Sequence, residues 1–316
     1  MYGVIDIGSN TIRLVVYRLR ADGRLKRMMN KKYVVGLAGY VDADNNLTGE
    51  GLDQAVDALL ELKLLLESIR LKKLYVFATA SLRNVIHSED AVEEIRRRTG
   101  FDVQILSGED EARYGYYGLL QEQNAGSGLV VDVGGGSTEL TAFADHRILS
   151  SRSLPMGSLN LYMKYVGKIF PDRAETEQIE REVCQRLSGM KLPEQVSGAL
   201  ICCEGGSARA ACKLIRARYK DAVTGDTYDP KYLKKFLNDF RKEKKEQMHL
   251  ILKTVPDRVH TILPGMLILK NIAAQYGCKR MITVSGGVRE GYLLAQLQRD
   301  GILSENSIGQ EAEDVR

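Results

Sequence analysis

The feature that most constrains the fold is a pattern that occurs twice in the chain. In each copy an apolar, strand-like run ends at an aspartate, a glycine follows two residues later, and a leucine stands eight residues after the aspartate. The copies occupy residues 4–15, around Asp6, and residues 130–141, around Asp132. Each reads as a strand, a polar turn and a second strand. A match over the whole pattern predicts a duplicated architecture with two related halves.

Strands that alternate with helices around both copies indicate an α/β fold. In the first half, hydrophobic periodicity predicts strands at residues 74–78 and 103–106 and helices at about 51–69, 90–99 and 110–120. Residues 121–128 are rich in Gln, Asn, Gly and Ser and read as the linker between the halves. In the second half we expect strands at 199–203 and 281–284, a helix that starts near Ser207, one basic helix at 231–247, and a final helix at about 289–298 that packs back on the first half.

The size and charge of the chain restrict the classes of protein to which it can belong. At 316 residues, two domains are favoured over one. The formal net charge of +4 does not repel a polyanionic substrate but is too small to indicate a DNA-binding protein. The five cysteines include no C-x-x-C pair, which is typical of reduced thiols in the cytoplasm. No apolar stretch is long enough to span a membrane, so we expect neither DNA nor a membrane as a partner.

The two turns have the residue types that phosphate binding requires. Glycine lets backbone N–H groups approach phosphate oxygens, which a Cβ would block. Hydroxyl and amide side chains beside the glycines add further donors. Two hairpins with ordinary turn glycines are the alternative. The candidates for phosphate contact are Ser9 and Asn10 in the first turn, and Gly134, Gly135, Gly136, Ser137 and Thr138 in the second.

Charged residues flank the two turns at equivalent positions. Asp6 and Asp132 end their strands beside the turns, where carboxylate oxygens suit Mg²⁺. Seven residues after each aspartate stand Arg13 and Glu139. Arg13 offers a fixed cation for phosphate, whereas Glu139 either binds metal or orients water. The pattern predicts a phosphate site with a divalent cation, Mg²⁺ or another.

Two further segments join predicted strands to helices and contain candidates for phosphate contact. Residues 79–83 end in Arg83, which suits a phosphate, although a cap for the next helix is the alternative. Residues 204–209 begin a helix whose free N–H groups suit an anion, and glycine also commonly separates a strand from a helix. The candidates in this second segment are Gly205, Gly206 and Ser207.

A third segment, residues 107–113, places three consecutive acids, residues 109–111, shortly after Ser107. Hydrolysis needs a carboxylate that deprotonates or orients water. A helix that Ser107 caps also favours acids in its first turn, because the helix dipole is positive there. On the residues alone, the dipole explains these acids better than catalysis does.

Together the motifs resemble the Ppx/GppA family of exopolyphosphatases and guanosine pentaphosphate phosphohydrolases. The similarity runs along nearly the whole chain, and its markers are D-I-G-S-N-T-I-R-L at 6–14, T-A-S-L-R at 79–83, S-G-E-D-E-A-R at 107–113, D-V-G-G-G-S-T-E-L at 132–140, L-P-G at 263–265 and S-G-G-V-R-E-G at 285–291. The resemblance implies an actin-like, ribonuclease H-related fold of two domains with the active site in the cleft between them. The implied domains are residues 1–122, to which a C-terminal helix at about 290–316 returns, and residues 123–289.

The resemblance also implies roles for single residues. Glu111 matches the family's catalytic base, which reverses the preference reached from the residues alone. Asp132 and Glu139 match its metal-binding acids, and Asp6 is the third candidate ligand. Arg83 and the residues of the two turns, including Arg13, match phosphate contacts.

The implied activity is release of terminal phosphate from inorganic polyphosphate, with Mg²⁺ as the cofactor, in the cytoplasm. Three alternatives stay open: pppGpp as the substrate, an actin-like kinase or ATPase with residues 285–287 under an adenosine, and a catalytically silent phosphate or nucleotide sensor. A homodimer is also left open.

The chain departs from the family pattern at four places. Asn160 stands where an arginine is common, Glu204 where a small or neutral residue is typical, and His260 where an acid is common. Residues 35–37 lack the usual basic residue. Because the loss of cations weakens the binding of long polyanions, these departures bear on substrate preference more than on reaction type.

Overall fold

A computed structural model describes residues 1–122, 125–196, 198 and 200–304 of the protein and shows two β-sheets with helices packed on them. The first half of the chain contains, in order, β1 (Tyr2–Ile7), β2 (Thr11–Leu19), β3 (Leu25–Val34), α1 (Gly49–Glu67), β4 (Lys73–Ala78), α2 (Ala80–Arg83), α3 (Ser88–Thr99), β5 (Val103–Ile105) and α4 (Gly108–Leu120). The second half contains β6 (Ser127–Val133), β7 (Thr138–Ala144), β8 (Arg147–Leu154), α5 (Ser158–Tyr165), α6 (Arg173–Ser188), β9 (Leu200–Glu204), α7 (Gly205–Arg218), β10 (Val223–Thr224), β11 (Thr227–Tyr228), α8 (Lys231–Lys242), α9 (Lys244–Thr254), α10 (Ile262–Gln275), β12 (Met281–Thr283) and α11 (Val288–Arg299).

The two sheets repeat one arrangement of strands. The first has the order β3-β2-β1-β4-β5, in which β1 pairs antiparallel with β2 and parallel with β4. The second has the order β10-β11-β12-β9-β6-β7-β8, in which β6 pairs antiparallel with β7 and parallel with β9. The register repeats as well, since Asp6 faces Arg13 and Asp132 faces Glu139. The predicted duplication and the α/β fold class are therefore confirmed.

Helix α1 shows how the sequence builds the core of the first half. The Thr48 hydroxyl accepts a hydrogen bond from the Gly51 N–H at 3.2 Å, so the helix begins with a side-chain cap. Ala55, Leu59 and Leu62 are spaced to lie on one face, and all three are fully buried against the first sheet. Helix α3 covers the same core.

The larger core lies under the second sheet, and helix α10 is at its centre. Residues 262–269 of this helix are all buried, and helices α6, α7 and α8 pack around it. A helix that is apolar on every side belongs in an interior, so the sequence of α10 fits its position.

Helix α11 returns to the first sheet and packs against α4. Its side chains Tyr292, Leu293 and Leu297 lie in one apolar cluster with Tyr2 and Phe77 of the first sheet. This matches the expectation that the last helix packs back on the first half. We propose on this basis that residues 1–122 with α11 form one domain and the intervening residues, up to Gly287, the other.

The predicted element bounds agree with the structure to within two residues at most positions. The predicted single helix at 231–247 is wrong, because α8 ends at Lys242 and α9 begins at Lys244. Glu243 leaves the helical region, with φ −121° and ψ 48°. The bend lets α8 pack against α10 and α9 pack against α7, which one straight helix does not do.

Several predicted segments are only partly described. The predicted linker at 121–128 is shorter, since β6 begins at Ser127, and residues 123 and 124 lie outside the described residues. Residue 199 of the predicted strand and residues 305–316 of the predicted returning segment also lie outside them. None of the helices in the described ranges is long and apolar enough to cross a membrane. All five cysteines are free thiols.

Candidate active site

The two duplicated turns have the same backbone geometry. The N–H of Gly8 donates to the carbonyl of Thr11, and the N–H of Gly134 donates to the carbonyl of Ser137, each at 3.0 Å. A Cβ at either glycine would lie 3.1–3.2 Å from the same carbonyl oxygen, which is tighter than ordinary packing. Glycine therefore lets each turn close without a tight side-chain contact and leaves its backbone open to the cavity.

The turns face each other and are in contact. A Cβ at Gly136 would lie 2.5 Å from Ser9 Oγ, and a Cβ at Gly135 would lie 3.3 Å from Ser9 Cβ. Behind the second turn, Asn160 Nδ2 donates to the Gly136 carbonyl at 3.1 Å, and the Asn160 N–H donates to the Gly135 carbonyl at 3.1 Å. The family's common arginine is thus replaced by a side chain that holds the turn in place.

A cavity of about 110 Å³ opens beside the two turns. Backbone and side chains from both sheets line it, so the structure brings together residues that are far apart in the sequence. The predicted site residues that line this cavity are Asp6, Ser9, Asn10, Arg13, Glu111, Asp132, Gly134, Gly135, Gly205 and Gly206.

The other predicted site residues lie outside the cavity lining: Arg83, Gly136, Ser137, Thr138, Glu139 and Ser207. Two of their hydroxyl groups bond to the backbone, since Thr138 donates to the Met156 carbonyl and Ser207 donates to the Val133 carbonyl at 3.0 Å. Each of these two hydroxyls therefore donates its proton to the backbone near the end of a strand. Arg83 and Glu139 lie one layer behind the cavity, against Glu111 and Ser153.

Three arginines that the sequence analysis did not select also line the cavity: Arg209, Arg258 and Arg289. Arg289 stands in the first turn of α11, where the helix dipole disfavours a cation, and this is the signal that could have identified it. Arg209 follows the Gly205-Gly206 pair on α7. Arg258 lies in the short 3₁₀ helix Pro256–Arg258, and no motif marks it.

Gly206 makes room for Arg258. A Cβ on Gly206 would lie 1.7 Å from Arg258 Nη2, so the guanidinium rests directly on the backbone at the start of α7. This contact holds the cation at the strand end where Gly205 and Gly206 were expected to bind an anion.

Arg289 has a carboxylate partner, since its Nη1 lies 2.8 Å from Asp6 Oδ2. Burial works against the charge of Arg289, but Asp6 and Glu290 outweigh it and raise its pKa. Asp6 is therefore held by a guanidinium at this strand end, and its role as a third metal ligand stays a prediction.

The other three cavity arginines, Arg13, Arg209 and Arg258, have no salt bridge to an acid within the described residues. Burial and the neighbouring Arg289 lower the pKa of Arg13 to about 10, and burial and Arg209 lower the pKa of Arg258 to about 10. Burial and Arg289 also lower the pKa of Arg209. All three stay charged at neutral pH. Asp6 partly offsets the charge of Arg13, and Asp132 partly offsets the charges of Arg209 and Arg258, but no carboxylate pairs with any of the three at salt-bridge distance in the described structure.

Glu111 is buried at the start of α4, with 8% of its surface exposed. Its Oε2 lies 2.8 Å from Arg83 Nη1, and the same nitrogen donates to the Leu106 carbonyl at 2.9 Å. Burial, and then the charge of Glu139, raise the pKa of Glu111 well above its ordinary value, although Arg83 opposes the shift. The Ser107 side chain caps the helix as predicted, by accepting from the Asp110 N–H at 3.0 Å.

Burial raises the pKa of Glu139 to about 7, with a further contribution from Asp132, and burial also raises the pKa of Asp132. Glu139 is buried and Asp132 is partly buried beside it, so the two acids place negative charge at this strand end that a cation would offset. Among the described residues, no three His, Cys, Asp or Glu side chains form a group able to hold a metal ion. Mg²⁺ usually takes one or two carboxylates together with phosphate oxygens and water, so Asp132 and Glu139 fit a cation whose coordination a bound phosphate completes.

Glu204 is the most unusual acid near the site. It ends β9 beside Asp132 of β6, is fully buried, and neither of its side-chain oxygens has a hydrogen-bond partner in the described structure. Its Oε2 would lie 3.0 Å from a Cβ at Gly115 or at Gly287, so glycines on α4 and before α11 make room for it. Burial, and then Asp132, raise its pKa well above the ordinary value.

The chain has recognisable relatives. Exopolyphosphatase 1 of Mycobacterium tuberculosis (strain ATCC 25618 / H37Rv) is 32% identical to it over 173 residues, which are 54% of this chain and 50% of that protein, so the chain spans about half the length of the curated relative that it matches. The structure is similar to that of the Aquifex aeolicus PPX-GPPA enzyme, with a TM-score of 0.73 and 26% identity over 93% of this chain and 98% of that one.

An exopolyphosphatase from Cytophaga hutchinsonii ATCC 33406 has a TM-score of 0.82 at 17% identity, over 96% of this chain and 98% of that one, and this likeness shows the fold alone. The neighbours confirm the predicted α/β fold of two actin-like, ribonuclease H-like domains. A sequence model of the Ppx/GppA phosphatase family matches residues 15–300. Because that match covers most of the chain and includes the second turn, Glu111 and the cavity arginines from Arg209 onward, the protein belongs to the Ppx/GppA phosphatase family.

Proposed function

We propose that the protein is a phosphohydrolase that releases the terminal phosphate of inorganic polyphosphate. One observation is the main support: Arg13, Arg209 and Arg258, none with a carboxylate partner within the described ranges, line the same cavity as Glu111 and Asp132. Buried positive charge of this kind is costly unless an anion neutralises it. A phosphoryl group with several oxygens satisfies three guanidinium groups at once.

The glycines of the site suit the reacting end of the substrate. Bare backbone at Gly134, Gly135, Gly205 and Gly206 lines the cavity, so phosphate oxygens can approach the main chain closely. Ser9 and Asn10 offer further donors on the opposite turn. These contacts hold the terminal phosphoryl group in a fixed orientation, which is the main requirement of phosphoryl transfer.

Glu111 is the proposed general base. Burial raises its pKa, which makes the ionised carboxylate a stronger proton acceptor, while Arg83 at 2.8 Å favours the ionised form and fixes its orientation. In the proposed reaction a Glu111 oxygen accepts a proton from water as the water oxygen bonds to the terminal phosphorus and the bond to the bridging oxygen breaks. The cavity arginines stabilise the charge on the departing phosphate chain.

A divalent cation, Mg²⁺ or another, held by Asp132 and Glu139 would supply charge neutralisation at the terminal phosphate. Glu139 Oε1 accepts a hydrogen bond from Ser153 Oγ at 2.7 Å, which fixes its orientation. Asp132 lies at the cavity itself.

The packing around residues 285–287 favours a phosphate chain over an adenosine. A Cβ at Gly286 would lie 2.5 Å from the Gly118 carbonyl, and one at Gly118 would lie 2.2 Å from the Gly287 carbonyl. Helix α4 therefore occupies the space under these glycines where a kinase or ATPase of this fold was expected to place a nucleoside. The name exopolyphosphatase of the mycobacterial relative supports the same choice.

The test is phosphate release from polyphosphate, pppGpp and ATP, measured side by side with Mg²⁺ and with excess EDTA. We expect release from polyphosphate that EDTA abolishes and that needs no acceptor molecule. Faster release from pppGpp than from polyphosphate would indicate that pppGpp is the preferred substrate. No release from any of the three would support the sensor alternative.

A further inference from the structure

The 3₁₀ helix Pro256–Arg258 carries a positive side chain that enters the cavity and a negative side chain that contacts the other sheet. Arg258 points into the cavity and rests on Gly206. Its neighbour Asp257 forms a salt bridge with Lys32 of β3, which belongs to the other sheet. This ion pair connects the two sides of the cleft directly beside the site.

The position of Lys32 follows from the register of the first sheet. Lys32 is the cross-strand partner of Arg13, which is in turn the partner of Asp6. Cross-strand partners point to the same face of a sheet, so Lys32 is the next cation outward from Arg13. The Lys32 side chain is 26% exposed and that of Asp257 is 54% exposed, so the pair lies at the rim, with the cavity residues Arg13 and Arg258 inside it.

The charge at this rim opposes a polyanion. Lys32 would extend the row of phosphate-binding cations by one, but Asp257 neutralises it, and the Lys32 ammonium lowers the pKa of Asp257, which keeps that carboxylate negative. A phosphate chain that extends from the cavity past Arg13 and Arg258 therefore meets a carboxylate. Exposed ion pairs contribute little to stability, so the pair is more important for the electrostatics of the rim than for holding the fold.

We propose that the Lys32–Asp257 ion pair is a charge gate that weakens the binding of phosphate chains long enough to pass the rim, and so determines the chain length that the site accepts. The inference rests on the proposed function, since it concerns the substrate class of the same site.

The experiment measures binding by calorimetry at several salt concentrations, in Glu111→Gln protein, with tripolyphosphate and with a long-chain polyphosphate. Asp257→Asn frees Lys32 for one more phosphate contact. Since each contact adds about 0.7–0.9 to the slope of log affinity against log salt, long-chain affinity should rise about five- to eightfold near 0.1 M salt and the slope should steepen by that amount. The affinity for tripolyphosphate should change less than about twofold.

Two matched variants test the cause. Lys32→Gln removes the cation, so this variant should not bind the long chain more tightly than the parent does. Asp226→Asn removes an exposed acid from a remote ion pair with Arg216, and so changes the net charge by the same amount. It should leave both affinities unchanged. The gate proposal would be overturned if Asp257→Asn gave no gain in long-chain affinity. It would also be overturned if Asp226→Asn gave an equal gain, or if the affinity for tripolyphosphate rose equally.

An error in the gate proposal and an error in the proposed function would give different experimental results. Phosphate release by the protein with Glu111 intact tests the function, and chain-length dependence in the Asp257→Asn comparison tests the gate. If the protein releases phosphate from short and long chains and Asp257→Asn binds both as the parent does, only the gate is wrong. If neither chain binds, both are wrong.

Discussion

Two buried glutamates near Asp132 differ in what surrounds their carboxyl groups. Glu111 has a guanidinium at 2.8 Å, from Arg83. Glu204 has no hydrogen-bond partner among the residues that the structure describes. A paired carboxylate can carry charge at the site, whereas an unpaired and fully buried one is more stable in its neutral form. The two acids therefore have different expected effects on activity and on stability.

Replacement of Glu111 by Gln should lower kcat for polyphosphate by more than about a hundredfold, because the amide cannot accept the proton of the attacking water. Binding should change much less, since the cavity arginines are intact. The matched control is Glu109→Gln, an exposed acid in the same helical turn, which should retain the parent rate. An unchanged kcat in Glu111→Gln would refute the role of Glu111 as the base.

Replacement of Glu204 by Gln should stabilise the protein at alkaline pH. The folded-state pKa of Glu204 lies well above its ordinary value of 4.5, so above about pH 4.5 the unfolded chain releases a proton that the folded protein keeps. The free energy of unfolding therefore falls as pH rises from about 4.5 to the folded-state pKa. The Gln variant has no titratable group at this position, so its stability does not fall for this reason.

Urea unfolding at pH 4 and pH 8 measures this difference. The two proteins should have similar stability at pH 4, and the variant should be the more stable of the two at pH 8. Glu67→Gln, at an exposed position near the end of α1, should show no such gain. A variant that is equally stable or less stable at pH 8 would show that Glu204 is ionised and has a partner in the folded protein.

At the scale of single residues, the sequence shows which side chains have suitable chemistry, but it shows less well which of them are buried. Residues 109–111 are three consecutive acids that the helix dipole accommodates equally well, and only the fold buries Glu111 while it leaves Glu109 exposed. Arg258 could not be predicted, because its place in the cavity depends on a contact with Gly206, which is 52 positions earlier in the chain. Such contacts are set by the packing of elements and not by a local pattern.

At the scale of elements, the beginnings of the helices form much of the site. Helix α7 starts with Gly205 and Gly206 and supports Arg258, α4 starts beside Glu111, and α11 starts beside Arg289. The strand–turn–strand pairs were predictable because glycine and aspartate recur at fixed spacing. The break between α8 and α9 was not, because Glu243 is an ordinary helix former and the bend results from two different packing partners.

The start of α7 provides a prediction of its own. Gly206→Ala places a methyl group 1.7 Å from the present position of Arg258 Nη2, so the flexible arginine must move out of the cavity while the backbone stays in place. Loss of one charge-assisted contact to phosphate should raise KM for polyphosphate by roughly ten- to a hundredfold, with the melting temperature nearly unchanged. Gly189→Ala, which meets no atom within 4 Å, is the control and should have the parent KM. A normal KM in Gly206→Ala would show that Arg258 does not bind substrate.

At the scale of the whole molecule, the contact between α4 and α11 brings the last described helix back to the first half of the chain. Gly291 allows this contact, because a Cβ there would lie 1.9 Å from the Tyr114 carbonyl oxygen. The duplication and the return of the last helix followed from sequence patterns. The closeness of the two turns was expected only from the family resemblance, because no local pattern determines how the two sheets pack.

Gly291→Ala should therefore destabilise the protein. The methyl group meets backbone atoms that cannot rotate away, and this overpacking costs about 1–3 kcal/mol, more than the gain of roughly 1 kcal/mol from alanine in a helix. The midpoint of urea unfolding measures the change. Gly49→Ala, which meets no atom within 4 Å, should leave the midpoint near that of the parent. A midpoint in Gly291→Ala at or above the parent value would contradict the close packing of α4 and α11.

The central claim is that one cavity between the twin turns receives the terminal phosphoryl group. A crystal structure of the Glu111→Gln protein with tripolyphosphate and Mg²⁺ measures this directly. We predict a terminal phosphate beside Ser9 and Gly135, within hydrogen-bond distance of at least two of the guanidinium groups of Arg13, Arg209 and Arg258. Phosphate bound elsewhere, with these arginines still lacking an anion, would contradict it.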